Sequence, residues 1–307
     1  MSLVVTDGRL RAWLRLLIFF LAGLGGGVAV IIVLALIRPL SGGPPGRPFD
    51  LSRVAPWLLA AYGLAVVAPL AAATVIGRRF LDGKKPLKSL GLELRRAPAG
   101  LAGGFAAGVV FLAAAAVIIA LAGGARLSLA RVTFNDAGAF AGTLVFLLVF
   151  AAAEELMLRG YPIKVLAESW SRPAAVVLTA GVFSALHLGN PGANILTFVN
   201  VAAAGVILGL LYLKSGSLWL AIGFHWGWNF GEGGLFGFRV SGIGLSRSII
   251  SATATGPRWL SGGAFGPEGS AALTATAAAL IAFLLVWKGP HSKRTPALSA
   301  ASVGGSR

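Results

Sequence analysis

Two adjacent carboxylates, Glu154 and Glu155, stand in the apolar run Phe146-Leu-Leu-Val-Phe-Ala-Ala-Ala-Glu-Glu-Leu-Met-Leu-Arg159 of a 307-residue chain with only ten acidic residues. Two of its three histidines, His187 and His225, also fall in apolar stretches. Even low estimates put a lone charge at the centre of a membrane helix at about +2.5 to +3.5 kcal/mol, so such a cluster calls for a partner or a function. A carboxylate whose charge is costly is a strong proton acceptor, and a neighbouring histidine can hold and orient a water molecule for attack. A second histidine and Asn229 can donate hydrogen bonds to the oxyanion formed when that water adds to an amide carbonyl. Hydrolysis of a peptide bond is open to these groups. So are two other uses: an ion-pair network that only holds helices together, and proton relay through a proton-coupled transporter.

The spacing narrows the geometry. Glu155 and Arg159, Phe183 and His187, and His225 and Asn229 are each four residues apart, so each pair stacks on one face of its helix. Glu154 and Glu155 point about 100° apart, which lets one face a reaction centre while Arg159 holds the other. For Arg159 a cytoplasmic orientation charge is an equally good account. If the chain turns near Ser169-Trp-Ser-Arg172, Glu154 and His187 both lie roughly 25 Å from the turn and reach similar depth. His225 lies only about 14 Å beyond the Ser215-Gly-Ser217 turn, so its helix must tilt or begin deeper.

Taken together, Glu154-Glu155-x-x-x-Arg159, Phe183-x-x-x-His187 and His225-x-x-x-Asn229, in this order on successive apolar segments, resemble the CAAX prenyl protease and bacteriocin-processing family. The resemblance covers about residues 138–236 as a catalytic core and implies an intramembrane glutamic endopeptidase with a peptide or protein substrate presented at the bilayer. It makes Glu154 the water-activating base beside His187, Glu155 and Arg159 a supporting pair, and His225 with Asn229 the oxyanion-binding pair. No motif residue is replaced, although a non-catalytic bacteriocin immunity or binding role has the same motifs. No obligatory cofactor is expected, and Zn²⁺ stays open as an alternative. Two histidines and a glutamate would supply three ligands to Zn²⁺, but the His-Glu-x-x-His run of zinc proteases is missing, as is a Gly-x-Ser-x-Gly nucleophile. Glu232 is an additional candidate, while Asn190, Asn194 and Asn200 read as loop or packing groups and Trp226 and Trp228 as packing residues.

The elements that must position these residues follow from composition. With 57% hydrophobic and 12% charged residues and a mean hydropathy of +0.84, the chain is too apolar for a soluble domain. Apolar runs long enough to cross about 30 Å of hydrocarbon recur throughout. They predict an all-α polytopic transmembrane bundle in one domain, 1–307, with about eight spans at 12–37, 54–77, 97–122, 138–166, 173–188, 193–213, 217–236 and 270–287. Ser41-Gly-Gly-Pro-Pro-Gly-Arg-Pro48, Asp82-Gly-Lys-Lys-Pro86 and Gly289-Pro290 interrupt them, and residues 237–268 read as a loop or a partly inserted segment. A cytoplasmic N-terminus places 18 of the 26 basic residues inside, so the positive-inside rule predicts a multi-pass cell-membrane protein with both termini cytoplasmic. The net charge of +16 therefore reflects orientation in the bilayer. No zinc-finger spacing, phosphate loop or interleaved aromatic and basic stretch points to nucleic acid. The chain has no cysteine, which excludes disulfides and thiol nucleophiles, and its 43 glycines predict close helix packing.

Overall fold

A computed structural model describes residues 5–6, 9–40, 56–245 and 247–289. The Ser41–Pro48 loop and the tail from Pro290 lie outside the described residues. The protein is an all-α membrane helical bundle. Its principal helices are α1 (Ala12–Leu40), α2 (Pro56–Ile76), α3 (Ala97–Leu121), α4 (Ala137–Glu155), α5 (Tyr161–Ser169), α6 (Arg172–Leu186), α7 (Ile195–Ser215), α8 (Leu218–Asn229), the single turn α9 (Arg258–Ser261) and α10 (Ala271–Val286). Among the described residues, the helical stretches Leu87–Leu121, Ala137–Ser169 and Ile195–Ser215, of 35, 33 and 21 residues, are long and apolar enough to cross a membrane. Ala12–Gly23, Arg172–Leu186 and Ala271–Val286 are shorter apolar helices.

Local chemistry sets the boundaries. Ser171 accepts a hydrogen bond from the Ala174 N–H and Pro173 follows in the first turn, a strong start for α6. Asn194 and Thr197 form a reciprocal capping box at the start of α7, and Gly216, at φ +67°, ends it in the left-handed region. Ser217 caps α8 and Ser270 caps α10.

Two expected helices are less regular than their periodicity suggests. The fourth segment passes from α4 through a π-helical turn, Leu156–Gly160, into α5. The seventh is α8 followed by a second π-helical stretch, Phe230–Leu235. The fifth ends at Leu186, so His187 caps α6 rather than lying within it. Two short pairings are also unanticipated: β1 (Val5–Thr6) with β2 (Arg9–Leu10), and β3 (Ala125–Leu129) with β4 (Ile250–Ala254), both antiparallel. The second pair fastens residues 237–268 back onto the bundle. Phe236, Phe238 and Phe265 are buried there.

Helices α3 and α8 run parallel and meet backbone to backbone. A Cβ at Gly104, Gly108 or Gly227 would run into a main-chain carbonyl of the facing helix, those of Leu220, Phe224 and Phe105 respectively. One at Gly223 would stand 2.5 Å from the Leu101 carbonyl oxygen. The spacing of these glycines by four residues is the small-residue pattern that lets membrane helices approach closely.

The helix ends nearest the expected cytoplasmic face share an ion cluster. Asp82 accepts from Arg15 Nη2 at 2.5 Å, Arg78 Nη1 at 2.7 Å and the Tyr161 hydroxyl at 3.1 Å. Lys85 pairs with Glu168 at 2.6 Å. Arg15 and Arg78 are thus buried partners of Asp82.

Candidate active site

The π-helical turn after α4 sits next to the two glutamates, a common location for such turns at functional sites. Glu155 is fully buried, and its Oε1 accepts from Arg159 Nη1 at 2.9 Å and lies 3.0 Å from His225 Nδ1. Arg159, also fully buried, donates from Nη2 to the Gly205 carbonyl at 3.2 Å and lies 4.6 Å above the Phe183 ring. One ion pair therefore ties the fourth segment to α6, α7 and α8. Glu155 and Arg159 lie behind the site and do not line its cavity.

Glu154 points elsewhere, as the angular offset requires. Its carboxylate is 24% exposed and its Oε2 lies 3.5 Å from His225 Nε2. Glu154, His187, His225 and Asn229 line one cavity of about 200 Å³, with Phe146, Phe150, Met157 and Phe183 among its apolar walls. His187 Nδ1 is 2.7 Å from the Phe183 carbonyl. A carbonyl can only accept, so Nδ1 carries a proton, and in the neutral ring Nε2 offers a lone pair. Phe183 is central to the arrangement, its ring centre 4.7 Å from that of His187 and 5.8 Å from that of His225. Trp226 donates from Nε1 to the Leu144 carbonyl at 3.0 Å, fixing α8 against α4.

The uncertain depth of His225 has a local explanation. Helix α8 is only 12 residues, about 18 Å, and starts inside the bundle where Leu218 N–H donates to the Gly91 carbonyl at 3.2 Å. Helix α6, at 15 residues or about 22 Å, ends at His187 in the same layer.

The structure adds residues that the motifs do not contain. Val240, Ser241, Ile243, Leu245 and Glu268, all from the 237–268 segment, also line the cavity. Ser241 Oγ donates to Glu268 Oε2 at 2.6 Å. Glu232 is fully buried beyond the cavity lining. Asn200 is a packing group, donating to the carbonyls of Glu268 and Ser270 at 2.8 and 2.9 Å. The rarity of acidic residues in so apolar a chain is the signal that could have singled out Glu268. Among the described residues, no group of three or more His, Asp and Glu is placed to hold a metal ion.

No curated protein and no solved structure matches the chain. Residues 136–231, which carry Glu154, Glu155, Arg159, His187, His225 and Asn229, match the Rce1-like family, described as type II CAAX prenyl endopeptidase Rce1-like, and in this part the protein is CAAX-protease-like.

Proposed function

We propose that the protein is an intramembrane endopeptidase in which Glu154 is the general base, with no obligatory metal ion. The observation that carries this reading is the convergence of Glu154, His187, His225 and Asn229, from three separate helical segments, on one cavity. Glu154 takes a proton from a water molecule that the His187 Nε2 lone pair helps to hold, and the water oxygen adds to the substrate carbonyl. Asn229, and His225 when protonated at Nε2, donate to the developing oxyanion. Glu155 and Arg159 position His225 from behind. The substrate is a peptide segment presented at the bilayer, and the apolar walls of the cavity suit apolar side chains flanking the cleaved bond.

Membrane proteomics of cells carrying the native chain or Glu154→Ala tests this directly, because a substrate should persist uncut in the variant. Its cleavage sequence then supplies a peptide for purified protein in detergent. Glu154→Gln is expected to lower kcat by at least about 10²-fold, the usual contribution of a positioned general base. A folded Glu154→Gln protein with full turnover would remove Glu154 from catalysis and favour a binding or immunity role. Turnover should also survive exhaustive chelation. Activity that disappears and returns only with stoichiometric Zn²⁺ would overturn the metal-free mechanism.

A further inference from the structure

Glu268 has surroundings that packing alone does not explain. It lies in the turn Pro267–Gly269 before α10, outside the membrane-crossing helices, and is 6% exposed, yet it lines the cavity with Glu154, His187 and His225. Its main chain is anchored from α7 by Asn200. The side chain accepts from Ser241, whose φ of +47° is a left-handed conformation rare outside glycine. Three hydrogen bonds hold that conformation: Asn190 Nδ2 to the Ser241 carbonyl at 3.0 Å, Gly242 N–H to the Phe265 carbonyl at 2.7 Å, and Ser241 Oγ to Glu268 itself. Strain of this kind is found where a functional group must be held in place.

Behind Glu268 stands Glu232. Neither Glu232 oxygen has a hydrogen-bond partner of ordinary geometry, although the Glu268 backbone N–H approaches from that side. Among the described residues, no Lys or Arg pairs with either carboxyl. Two buried carboxyls without a cation cannot both be ionised cheaply.

We propose that Glu268 is a further catalytic residue, a carboxylic acid that gives its proton to the departing amine, held for that task by Ser241 and backed by Glu232. This rests on the reading of Glu154 as the base. Burial holds the Glu268 carboxyl above the usual carboxylate range. Ser241, His187 and His225 act in the opposite direction, and the Glu154 carboxylate adds to the rise.

The proton balance closes. As the water oxygen bonds to the carbonyl carbon, its proton passes to Glu154 and the carbonyl π pair moves to oxygen. When the tetrahedral adduct collapses, the C–O double bond reforms and the C–N bond breaks. The released electron pair stays on nitrogen, which takes the Glu268 proton. A carboxylic acid and an amine result, with Glu154 protonated and Glu268 ionised. Transfer of a proton from Glu154 to Glu268 through cavity water restores both. An unprotonated amide nitrogen is a very poor leaving group, whereas a thiolate departs without a proton.

The test uses full-length protein in detergent and two forms of one fluorophore–quencher peptide. The peptide carries the cleavage sequence mapped from the substrate that accumulates with Glu154→Ala. One form keeps the scissile amide and the other has a thioester at that bond. Glu268→Gln should lose about 10²-fold or more in kcat on the amide, with KM little changed and the thioester rate within a few-fold of the native chain. Equal losses on both forms, or full amide turnover, would overturn the proposal. Glu268→Asp keeps an acid group and covers the case in which the glutamine variant does not fold. It should lose part of the amide rate and none of the thioester rate, and an equal partial loss on both sinks the idea. Glu154→Gln should fail on both forms; turnover of both would instead strike at the reading of Glu154.

Discussion

At the residue scale, the two adjacent glutamates have divided tasks because of the 100° step of a helix. Glu154 faces the cavity, while Glu155 is locked to Arg159 and His225 with no exposure to solvent. A buried pair of this kind contributes little net stability when complete, but removing one partner leaves an uncompensated charge and costs about 3–5 kcal/mol. Arg159→Leu should therefore lower thermal stability in detergent by roughly that amount. Adding Glu155→Gln to it should recover a good part of the loss, since the lone charge is gone and the amide oxygen still accepts from His225. A double variant no more stable than Arg159→Leu alone would show that Arg159 acts through packing on Phe183 rather than through its charge. His225 connects this supporting pair to Glu154, 3.5 Å from its Nε2, so disturbance at Arg159 should also reach the cavity.

At the scale of elements, the glycine-lined contact between α3 and α8 sets where His225 and Asn229 lie. Gly227 is two residues from each of them, and a methyl group there meets the Phe105 carbonyl of α3 rather than a movable side chain. Gly227→Ala is expected to destabilise the protein by about 1–3 kcal/mol, the usual range for overpacking, and to reduce turnover more than Gly103→Ala on α3. Gly103 meets nothing within 4 Å and serves as the control. Equal behaviour of the two variants in thermal unfolding and peptide cleavage would show that the contact does not position α8. The start of α4 supplies a pH-dependent case. Asp136 accepts from the Thr133 backbone N–H and hydroxyl and from Arg247, which lower its pKa from the ordinary 3.8. A depressed carboxylate contributes stability in full above its unfolded value, and the contribution is lost as pH falls through the folded value. Thermal stability of the native chain should thus decline below about pH 4 more steeply than that of Asp136→Asn, and parallel curves would remove Asp136 from this role.

These elements also show what the sequence discloses. The helical stretches and the three motifs were legible because apolar periodicity and four-residue spacing are local properties of the chain. Glu154 and Glu155 could be sorted into different directions by rotation alone. The π-helical turns were not legible, since one extra residue in a helical turn leaves the hydrophobic pattern almost unchanged. The β3–β4 pairing joins residues more than a hundred positions apart, and neither five-residue strand carries a local signal of its partner. Glu268 was missed for the same reason. Its part in the cavity comes from the return of 237–268 onto the bundle, which no local spacing announces. Arg78 and Asp82 are four residues apart, a local spacing, whereas Arg15 and Tyr161 reach Asp82 only once α1, α2 and α5 are packed together.

Across the whole molecule, basic residues and the cavity gather toward opposite ends. Arg15, Arg78 and Lys85 join Glu168 and Asp82, and Lys214 donates to the Leu285 and Trp287 carbonyls beside Lys288. The far end holds the β3–β4 pair, the Arg247–Asp136 bridge and the Asn190–Ser241 link that closes over the cavity. If the basic end is cytoplasmic, as the positive-inside rule requires, the site lies in the outer half of the bilayer and both ends of the described chain face the cytoplasm. A C-terminal alkaline phosphatase fusion should then be inactive. Because the chain has no native cysteine, single cysteines report accessibility without background. Ile243→Cys, on a cavity-lining residue that is 45% exposed, should react in intact cells with a membrane-impermeant maleimide, whereas Lys85→Cys should react only after lysis. The reverse pattern, or an active phosphatase fusion, would invert the orientation and place the cavity within reach of cytoplasmic peptides.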